Sequence, residues 1–240
     1  PQISATDWRH CGFEALIRWH YPDLGSVSPS EFVPIAESLG LMPQIGQWVL
    51  GEACREAAHW PSSLALSVNV SALQLRDPQF LSRVLHAVGE LSPQRVELEV
   101  TESALLDDIT GATAMLNQLR EHGFRVALDD FGTGYSALSY LRRFPFDVLK
   151  IDRSFVRDLS SDREAVVIVD TILAMARALG MTTVAEGVES AEEAEMLRAR
   201  GCAVLQGYFV SAPMTATAVA TFVHRWRSRE SPAAAWRTAS

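Results

Sequence analysis

The most informative segment of the chain is Leu64-Ala65-Leu66-Ser67-Val68-Asn69-Val70, and Arg95-Val96-Glu97-Leu98-Glu99-Val100 repeats its pattern. In both segments apolar residues alternate with small or polar ones, as in a strand with a single apolar face. A strand covered by helices on both faces of an open sheet would be apolar on both faces. The polar second face therefore favours a closed barrel whose lumen opens onto a functional site.

Short apolar segments alternate with amphipathic helical patterns along the 240 residues. The predicted strands are Gly12–Trp19, Leu64–Val70, Arg95–Val100, Arg125–Asp129, Val148–Asp152, Thr182–Glu186 and Ala203–Tyr208. This alternation is typical of a parallel α/β protein, built either as an open doubly wound sheet or as a closed barrel. The one-sided strands favour a TIM-type (β/α)8 barrel over residues 1–226, and we expect residues 227–240 to form a frayed tail.

The composition is that of a folded protein, with 48% hydrophobic and 21% charged residues. A net charge of −8 argues against binding to duplex nucleic acid, which requires a basic surface. The three cysteines are far apart in the chain, which indicates reduced thiols and a cytoplasmic domain, although the parent protein could be membrane-tethered. No apolar run is long enough to span a bilayer, so we expect no membrane insertion of this segment.

Most of the predicted strands end in a residue that can bind a metal ion or a substrate. In chain order these residues are Glu14, Asn69, Glu99, the pair Asp129 and Asp130, Lys150 with Asp152, Glu186 and Gln206. A single carboxylate at such a position is usually a turn residue or a helix cap. The strand ends of a barrel face one mouth, however, so we expect these side chains to lie within reach of one another.

The six carboxylates and Lys150 carry a formal charge of −5, which two divalent cations would reduce to −1. Without cations the carboxylates would repel one another and raise one another's pKa values. The donors are oxygen atoms, with no His or Cys at ligand spacing, which indicates hard ions such as Mg²⁺, Mn²⁺ or Ca²⁺ rather than zinc. From the residues alone, Lys150 is either a structural salt-bridge partner or the group that holds an attacking water.

Seven short motifs occur together in one order. They are Glu14-Ala15-Leu16-Ile17-Arg18-Trp19, Asn69-Val70-Ser71, Glu99-Val100-Thr101-Glu102-Ser103, the Asp129–Ser136 segment, Lys150-Ile151-Asp152, Ala185-Glu186-Gly187-Val188-Glu189 and Gln206-Gly207-Tyr208. On these motifs the chain resembles the EAL domain family, bacterial phosphodiesterases that hydrolyse cyclic di-GMP, over about residues 1–214.

The resemblance implies a role for each of these side chains. The implied metal ligands are Glu14, Asn69, Glu99, Asp129, Asp130, Asp152 and Glu186, with Asp129 shared between two ions. The implied catalytic residues are Lys150, Glu14 and Glu186, and the implied substrate-binding residues are Arg18, Gln206 and Leu16. Lys150 would position the attacking water, and the planar guanidinium of Arg18 would contact a phosphate. Glu102 and Glu189 would steady the loop after Asp130, through which the family forms dimers.

The implied reaction is hydrolysis of cyclic di-GMP to linear pGpG, with two Mg²⁺ or Mn²⁺ ions activating a water. The resemblance also implies a homodimer and, outside this segment, regulatory or diguanylate cyclase-like domains. Two other functions stay open. The same pocket could serve a non-catalytic cyclic di-GMP sensor, or the barrel could be another metal-dependent hydrolase or lyase, such as an enolase-like enzyme.

The chain departs from the family pattern at two places. Pro1-Gln2-Ile3-Ser4 begins inside the family's first strand, so the first helix and part of that strand are expected to be missing. Ala203 occupies a position where family members often carry aspartate. Neither departure removes a proposed metal ligand.

Overall fold

A computed structural model describes residues 1–106, 108–132, 144 and 146–227. Within these residues the strands are β1 (Gln2–Ser4), β2 (His10–Ala15), β3 (Trp19–Tyr21), β4 (Gly25–Val27), β5 (Ala65–Asn69), β6 (Val96–Thr101), β7 (Arg125–Phe131), β8 (Val148–Ile151), β9 (Thr182–Ala185) and β10 (Val204–Gln206). Eight of the described strands close into a barrel in the order β1-β10-β9-β8-β7-β6-β5-β2. The predicted TIM-type barrel is therefore confirmed.

The barrel is modified at β1, which pairs antiparallel with both of its neighbours, β10 and β2. The other neighbouring strands of the barrel pair in parallel. The register sets Gln2 opposite both Gln206 and Gly12. The antiparallel strand therefore brings the start of the chain next to the strand that ends at Gln206.

The predicted strand Gly12–Trp19 is shorter in the structure than its sequence suggests. The barrel strand ends at Ala15, and Trp19–Tyr21 pairs instead with Gly25–Val27 in a separate two-stranded antiparallel sheet. The Trp19 ring packs edge-on against Phe32, with ring centroids 5.6 Å apart. This aromatic contact holds the hairpin on the helix that follows it rather than in the barrel.

Helices follow most strands and cover the outside of the barrel. The described helices are α1 (Pro29–Ser38), α2 (Met42–Ala58), α3 (Ala72–Leu75), α4 (Phe80–Val88), a 3₁₀ turn (Pro93–Arg95), α5 (Glu102–Leu106), α6 (Ile109–Glu121), α7 (Arg153–Arg157), α8 (Arg163–Ala178), α9 (Ala191–Ala199) and α10 (Ala216–Arg227). The sequence pattern also predicts a helix over 137–143, and this segment, like residues 228–240 of the expected tail, lies outside the described residues. None of the helices in the described ranges has the length and apolarity needed to cross a bilayer.

Side-chain capping fixes where several helices begin. Ser190 and Glu193 form a reciprocal capping box at the start of α9. Asp162 accepts a hydrogen bond from the backbone N–H of Glu164 at the start of α8. Asp108 caps α6 by accepting a hydrogen bond from the backbone N–H of Gly111. The sequence pattern predicts one helix over Ser103–His122, and the structure divides it into α5 and α6 at this cap.

The strands place apolar and polar side chains on opposite faces, as their alternating sequence predicts. Leu66 and Leu98 are at most 1% exposed and belong to the apolar core on the outer side of the barrel. Ser67 and Glu97 point into the lumen, where the Ser67 hydroxyl donates to Glu97 Oε1 at 3.1 Å. A small apolar group of Ala127, Val148 and Val184 fills the lumen on its other side. The lumen is therefore a packed floor beneath the barrel mouth rather than a pore.

Candidate metal centre

Lys150 lies at the centre of the barrel mouth, with 1% of its side chain exposed. Its Nζ lies 2.6 Å from Glu99 Oε2 and 2.6 Å from Glu186 Oε1. Asp129 Oδ1 lies 3.1 Å from the same Nζ, and Glu14 Oε2 lies 3.9 Å from it. The structure thus gathers four of the predicted acids, each from a different strand or strand end, around one buried ammonium group.

Glu14 is held from two sides by side-chain amides. Its Oε1 accepts a hydrogen bond from Asn69 Nδ2 at 2.7 Å, and its Oε2 accepts one from Gln206 Nε2 at 2.5 Å. Gly207, with φ of 157°, allows Gln206 to lie here, since a Cβ at residue 207 would come within 2.2 Å of the Val188 carbonyl oxygen. Asn69 and Gln206 therefore lie in the mouth beside Glu14, as the strand-end pattern predicts.

A β-bulge brings two consecutive aspartates to the same mouth. The β7–β8 register shifts between Leu128 and Phe131, so β7 continues to Phe131 rather than ending at Asp129 as predicted. Asp130 has a φ of +53°, and its backbone N–H donates to Asp129 Oδ1 at 3.0 Å. Strict alternation would send the second aspartate to the outer face, and the bulge removes that alternation.

Asp152 has a capping role in addition to the one predicted from the sequence. It is the N-cap of α7, where its Oδ1 accepts hydrogen bonds from the backbone N–H of Ser154 at 2.9 Å and from the hydroxyl at 2.5 Å. It lies near enough to Asp130 to help raise the pKa of that group. Asp152 is not one of the three acids whose oxygens lie closest together, and its role as a metal ligand stays a prediction.

The mouth holds more negative charge than Lys150 neutralises. Burial raises the pKa of Glu186 to about 7. Burial, together with the nearby charges of Glu14 and Asp129, raises the pKa of Glu99 well above its usual value, although Glu99 contacts Lys150. Burial alone would lower the pKa of Lys150, but the surrounding carboxylates outweigh it and raise that pKa well above the usual value. Lys150 therefore stays an ammonium ion, while the carboxylates favour any additional cation.

Two observations show that the residues present fit divalent cations. Glu99 Oε1 is a buried carboxylate oxygen with no hydrogen-bond partner among the described residues. Oxygens of Asp129, Asp130 and Glu186 lie within 4.8 Å of one another, close enough to hold one ion. An all-oxygen donor set of this kind suits Mg²⁺, Mn²⁺ or Ca²⁺.

A cleft of about 860 Å³ opens directly onto this cluster. The predicted substrate-binding residues Leu16, Arg18 and Gln206 all line it, and Leu16 and Arg18 are exposed. The Arg18 guanidinium donates a hydrogen bond to the neighbouring Ile17 carbonyl oxygen at 2.8 Å. The cleft therefore places the exposed cationic side chain of Arg18 on the rim of a large space that opens onto the acidic cluster.

The two glutamates expected to steady the loop after Asp130 lie on either side of the mouth. Glu102 is buried at the start of α5, and Glu189 is exposed on the segment after β9. The loop itself runs into residues 133–143, which lie outside the described residues. The steadying role and the loop-mediated dimer therefore stay predictions.

Sequence reasoning missed Gln2 as part of this arrangement. Its side chain is 5% exposed, and Nε2 donates to Gln206 Oε1 at 2.9 Å. The sequence shows only that residues 1–4 match the family's first strand. That match does not predict a contact with Gln206, which lies 204 positions away in the chain.

The chain is similar to known proteins over most of its length. The sequence profile of the EAL domain matches residues 1–213. The bifunctional diguanylate cyclase/cyclic di-GMP phosphodiesterase MucR of Pseudomonas aeruginosa is 41% identical over 222 residues, 90% of this chain and 32% of MucR. The chain spans only 25–33% of the length of the first curated relatives that it matches.

Solved structures show the same architecture. The PaMucR phosphodiesterase in complex with c-di-GMP superposes with a TM-score of 0.86 at 41% identity, covering 91% of each chain. The EAL domain of FimX from Pseudomonas aeruginosa, bound to c-di-GMP, superposes with a TM-score of 0.80 at 27% identity, covering 89% of this chain and 88% of that chain. Motif order, barrel topology and the acidic mouth lead to one conclusion: the chain belongs to the EAL domain family.

Proposed function

We propose that this domain hydrolyses cyclic di-GMP to linear pGpG, using two Mg²⁺ or Mn²⁺ ions held at the acidic mouth. The observation that carries the proposal is the group of four carboxylates around the buried Lys150 ammonium, with Glu99 Oε1 left without a partner among the described residues. Relatives named as cyclic di-GMP phosphodiesterases, including MucR and NbdA of Pseudomonas aeruginosa, support the choice of substrate.

The ligands fall into two groups around Asp129. One ion would be held by Glu14, Asn69, Glu99 and Asp129, and a second by Asp129, Asp130, Asp152 and Glu186. For the first ion the Asn69 amide would turn its oxygen towards the metal, because only the oxygen of an amide binds a hard cation. Bound in this way, the ions supply Lewis-acid chemistry to the scissile phosphate and the attacking water.

The remaining steps are carried by the protein side chains. Lys150 remains protonated, so it cannot act as a base; it donates hydrogen bonds and holds the attacking water in position. Arg18 lies on the rim of the cleft and would neutralise a phosphate through its planar guanidinium. In-line attack forms a new P–O bond from water and breaks the bond to the 3′ oxygen, which leaves with a proton. The product carries a 5′ phosphate and a free 3′ hydroxyl.

The purified chain incubated with cyclic di-GMP and Mn²⁺ tests this proposal. We expect a product whose mass exceeds that of the substrate by one water, and no product after chelation. Cyclic di-GMP that binds but is recovered intact would support the sensor function instead. A chain that neither binds nor hydrolyses cyclic di-GMP would point to another barrel hydrolase or lyase.

The wider setting of the domain is also a proposal. Because the matched relatives are much longer than this chain, we propose a parent protein with regulatory or diguanylate cyclase-like domains. We further propose that the domain works in the cytoplasm, where its substrate class acts, as a homodimer formed through the loop after Asp130.

Metal binding is expected to weaken as the pH falls. Glu186, with a pKa of about 7, is partly protonated near neutral pH, and an ion must displace that proton. The pKa values of Glu99 and Asp130 are raised in the same direction, mainly by burial. For Glu186 alone the apparent affinity for Mn²⁺ should fall about tenfold between about pH 8 and pH 6. Calorimetric titration in two buffers of different ionisation enthalpy measures both the affinity and the protons released.

The same shifts determine the stability of the metal-free domain. A carboxyl group whose pKa is raised on folding binds its proton more tightly in the folded state, so stability falls as the pH rises from the unfolded value towards about 7. Saturating Mn²⁺ should remove that fall. An Mn²⁺ affinity that is the same at both pH values, with no proton release, would contradict this account of the mouth.

A further inference from the structure

A chain of buried, hydrogen-bonded polar side chains crosses the barrel lumen beneath the acidic mouth. Gln2 Nε2 donates to Gln206 Oε1 at 2.9 Å and to Ser67 Oγ at 3.3 Å. On the side of the acidic mouth, Gln206 Nε2 donates to Glu14 Oε2. On the opposite side, Ser67 Oγ donates to Glu97 Oε1. Gln2, Ser67 and Glu97 are at most 5% exposed. We call this set of five residues the lumen chain.

The orientation of each amide in the lumen chain follows from which groups can donate a hydrogen bond and which can only accept one. The carboxylate of Glu14 only accepts hydrogen bonds, so Gln206 must present its NH₂ group to Glu14 and its carbonyl oxygen to Gln2. Gln2 must then present its own NH₂ group to Gln206, because its carbonyl there would place two oxygen acceptors face to face. The amide of Gln2 therefore stabilises the same orientation of the Gln206 amide that the Glu14 carboxylate requires.

Gly12 provides the space that the Gln2 amide needs. Gly12 is opposite Gln2 in the strand register, and a Cβ at residue 12 would lie 2.9 Å from Gln2 Oε1 and 2.8 Å from the Ala65 carbonyl oxygen. Gly12 is not among the residues with a positive φ, so its backbone conformation does not require glycine. Space for the neighbouring amide and backbone is what requires it.

We propose that Gln2 is a positioning residue for Glu14, acting through Gln206. Rotation of Gln206 would remove one of the two amide donors that hold the Glu14 carboxylate, and the carboxylate would lose its fixed direction. Partners of this kind orient a metal ligand without touching the metal. The inference rests on the proposed function only in taking Glu14 to be a metal ligand.

The variant Gln2→Met tests the proposal, because methionine fills a similar volume but donates no hydrogen bond. We expect the Kd for Mn²⁺, measured by calorimetry in the absence of substrate, to rise about 10- to 100-fold. The matched control is Thr183→Val. Thr183 is also buried, and its Oγ1 accepts from the Ala203 backbone N–H, away from the lumen chain. The control should lower the melting temperature but leave the Kd within about twofold of wild type.

A double-mutant cycle separates positioning from a purely structural role. If Gln2 acts through Gln206, then adding Gln2→Met to Gln206→Met should cause no further loss of Mn²⁺ affinity. Additive losses would overturn the proposal, and so would a Gln2→Met protein that binds Mn²⁺ as wild type does. If Gln2→Met does not fold, Gln206→Met alone decides: normal Mn²⁺ affinity in that variant overturns the proposal.

These outcomes are distinct from failure of the proposed function. A wild-type chain that binds Mn²⁺ but leaves cyclic di-GMP intact would refute the phosphodiesterase activity. The loss of Mn²⁺ affinity in Gln2→Met would still be measurable in that chain.

Discussion

Replacement of Lys150 by methionine is expected to abolish turnover and to destabilise the metal-free domain by about 3–5 kcal/mol. Lys150 is the ammonium group on which Glu14, Glu99, Asp129 and Glu186 converge. Without it these buried carboxylates lose the ammonium group that they share, and their mutual repulsion opposes folding. The attacking water also loses its donor, so kcat should fall about 10³-fold or more while substrate affinity falls much less.

The stability loss should depend on pH in a defined direction. Without Lys150 the pKa values of Glu99 and Glu186 rise further, so the variant should be most stable at acidic pH, where these groups are protonated, and lose stability as the pH rises. Denaturant unfolding with a chelator present measures this. Arg198→Met is the matched control, because its ion pair with Glu195 is exposed and should be worth less than about 1 kcal/mol.

Two results would contradict this account of Lys150. One is a Lys150→Met domain that is as stable as wild type at neutral pH without metal. The other is an equal loss in kcat and in substrate affinity, which would show that Lys150 binds substrate rather than positions water.

Replacement of Glu14 by glutamine should have an equally large effect on catalysis and a much smaller effect on stability. Glutamine keeps the shape but replaces an anionic metal ligand with a weaker neutral one, so turnover should fall about 10³-fold or more. The metal-free domain should lose much less stability than Lys150→Met does, because the change removes the repulsion of Glu14 on the three other carboxylates around Lys150, although the new NH₂ group faces one of the two amide donors that hold Glu14. The two variants together therefore distinguish a metal site from a purely structural ion-pair cluster.

Paired measurements of turnover, Mn²⁺ affinity and unfolding test the Glu14 prediction. Glu56→Gln serves as control, because Glu56 is an exposed carboxylate on α2 that lines the same cleft away from Lys150. Its Mn²⁺ affinity should match wild type. Near-normal turnover in Glu14→Gln would refute the assignment of Glu14 as a ligand.

The fold was predictable because its signal is local. The alternation in Leu64–Val70 and Arg95–Val100 places apolar and polar residues on opposite faces, and the structure uses those faces as outer core and lumen. The convergence of strand-end acids follows from the same inference, since parallel strands in a barrel end at one mouth. The sequence alone therefore predicts that Glu14, Glu99 and Lys150 lie close together.

Features that depend on register could not be predicted in this way. The bulge that turns Asp130 into the mouth depends on a one-residue mismatch between β7 and β8, which neither strand shows alone. The contact between Gln2 and Gln206 joins residues 204 positions apart through an antiparallel strand. The early end of β2 at Ala15 likewise depends on packing of Trp19 against Phe32.

Diffraction at the manganese absorption edge, on crystals grown with Mn²⁺ and cyclic di-GMP, tests the central claim most directly. The account predicts two anomalous peaks within coordination distance of Asp129 oxygens, one shared with Glu14 and Glu99 and the other with Asp130 and Glu186, beside a phosphate of the nucleotide. Bound nucleotide with no manganese peak at these carboxylates, even at saturating Mn²⁺, would contradict it.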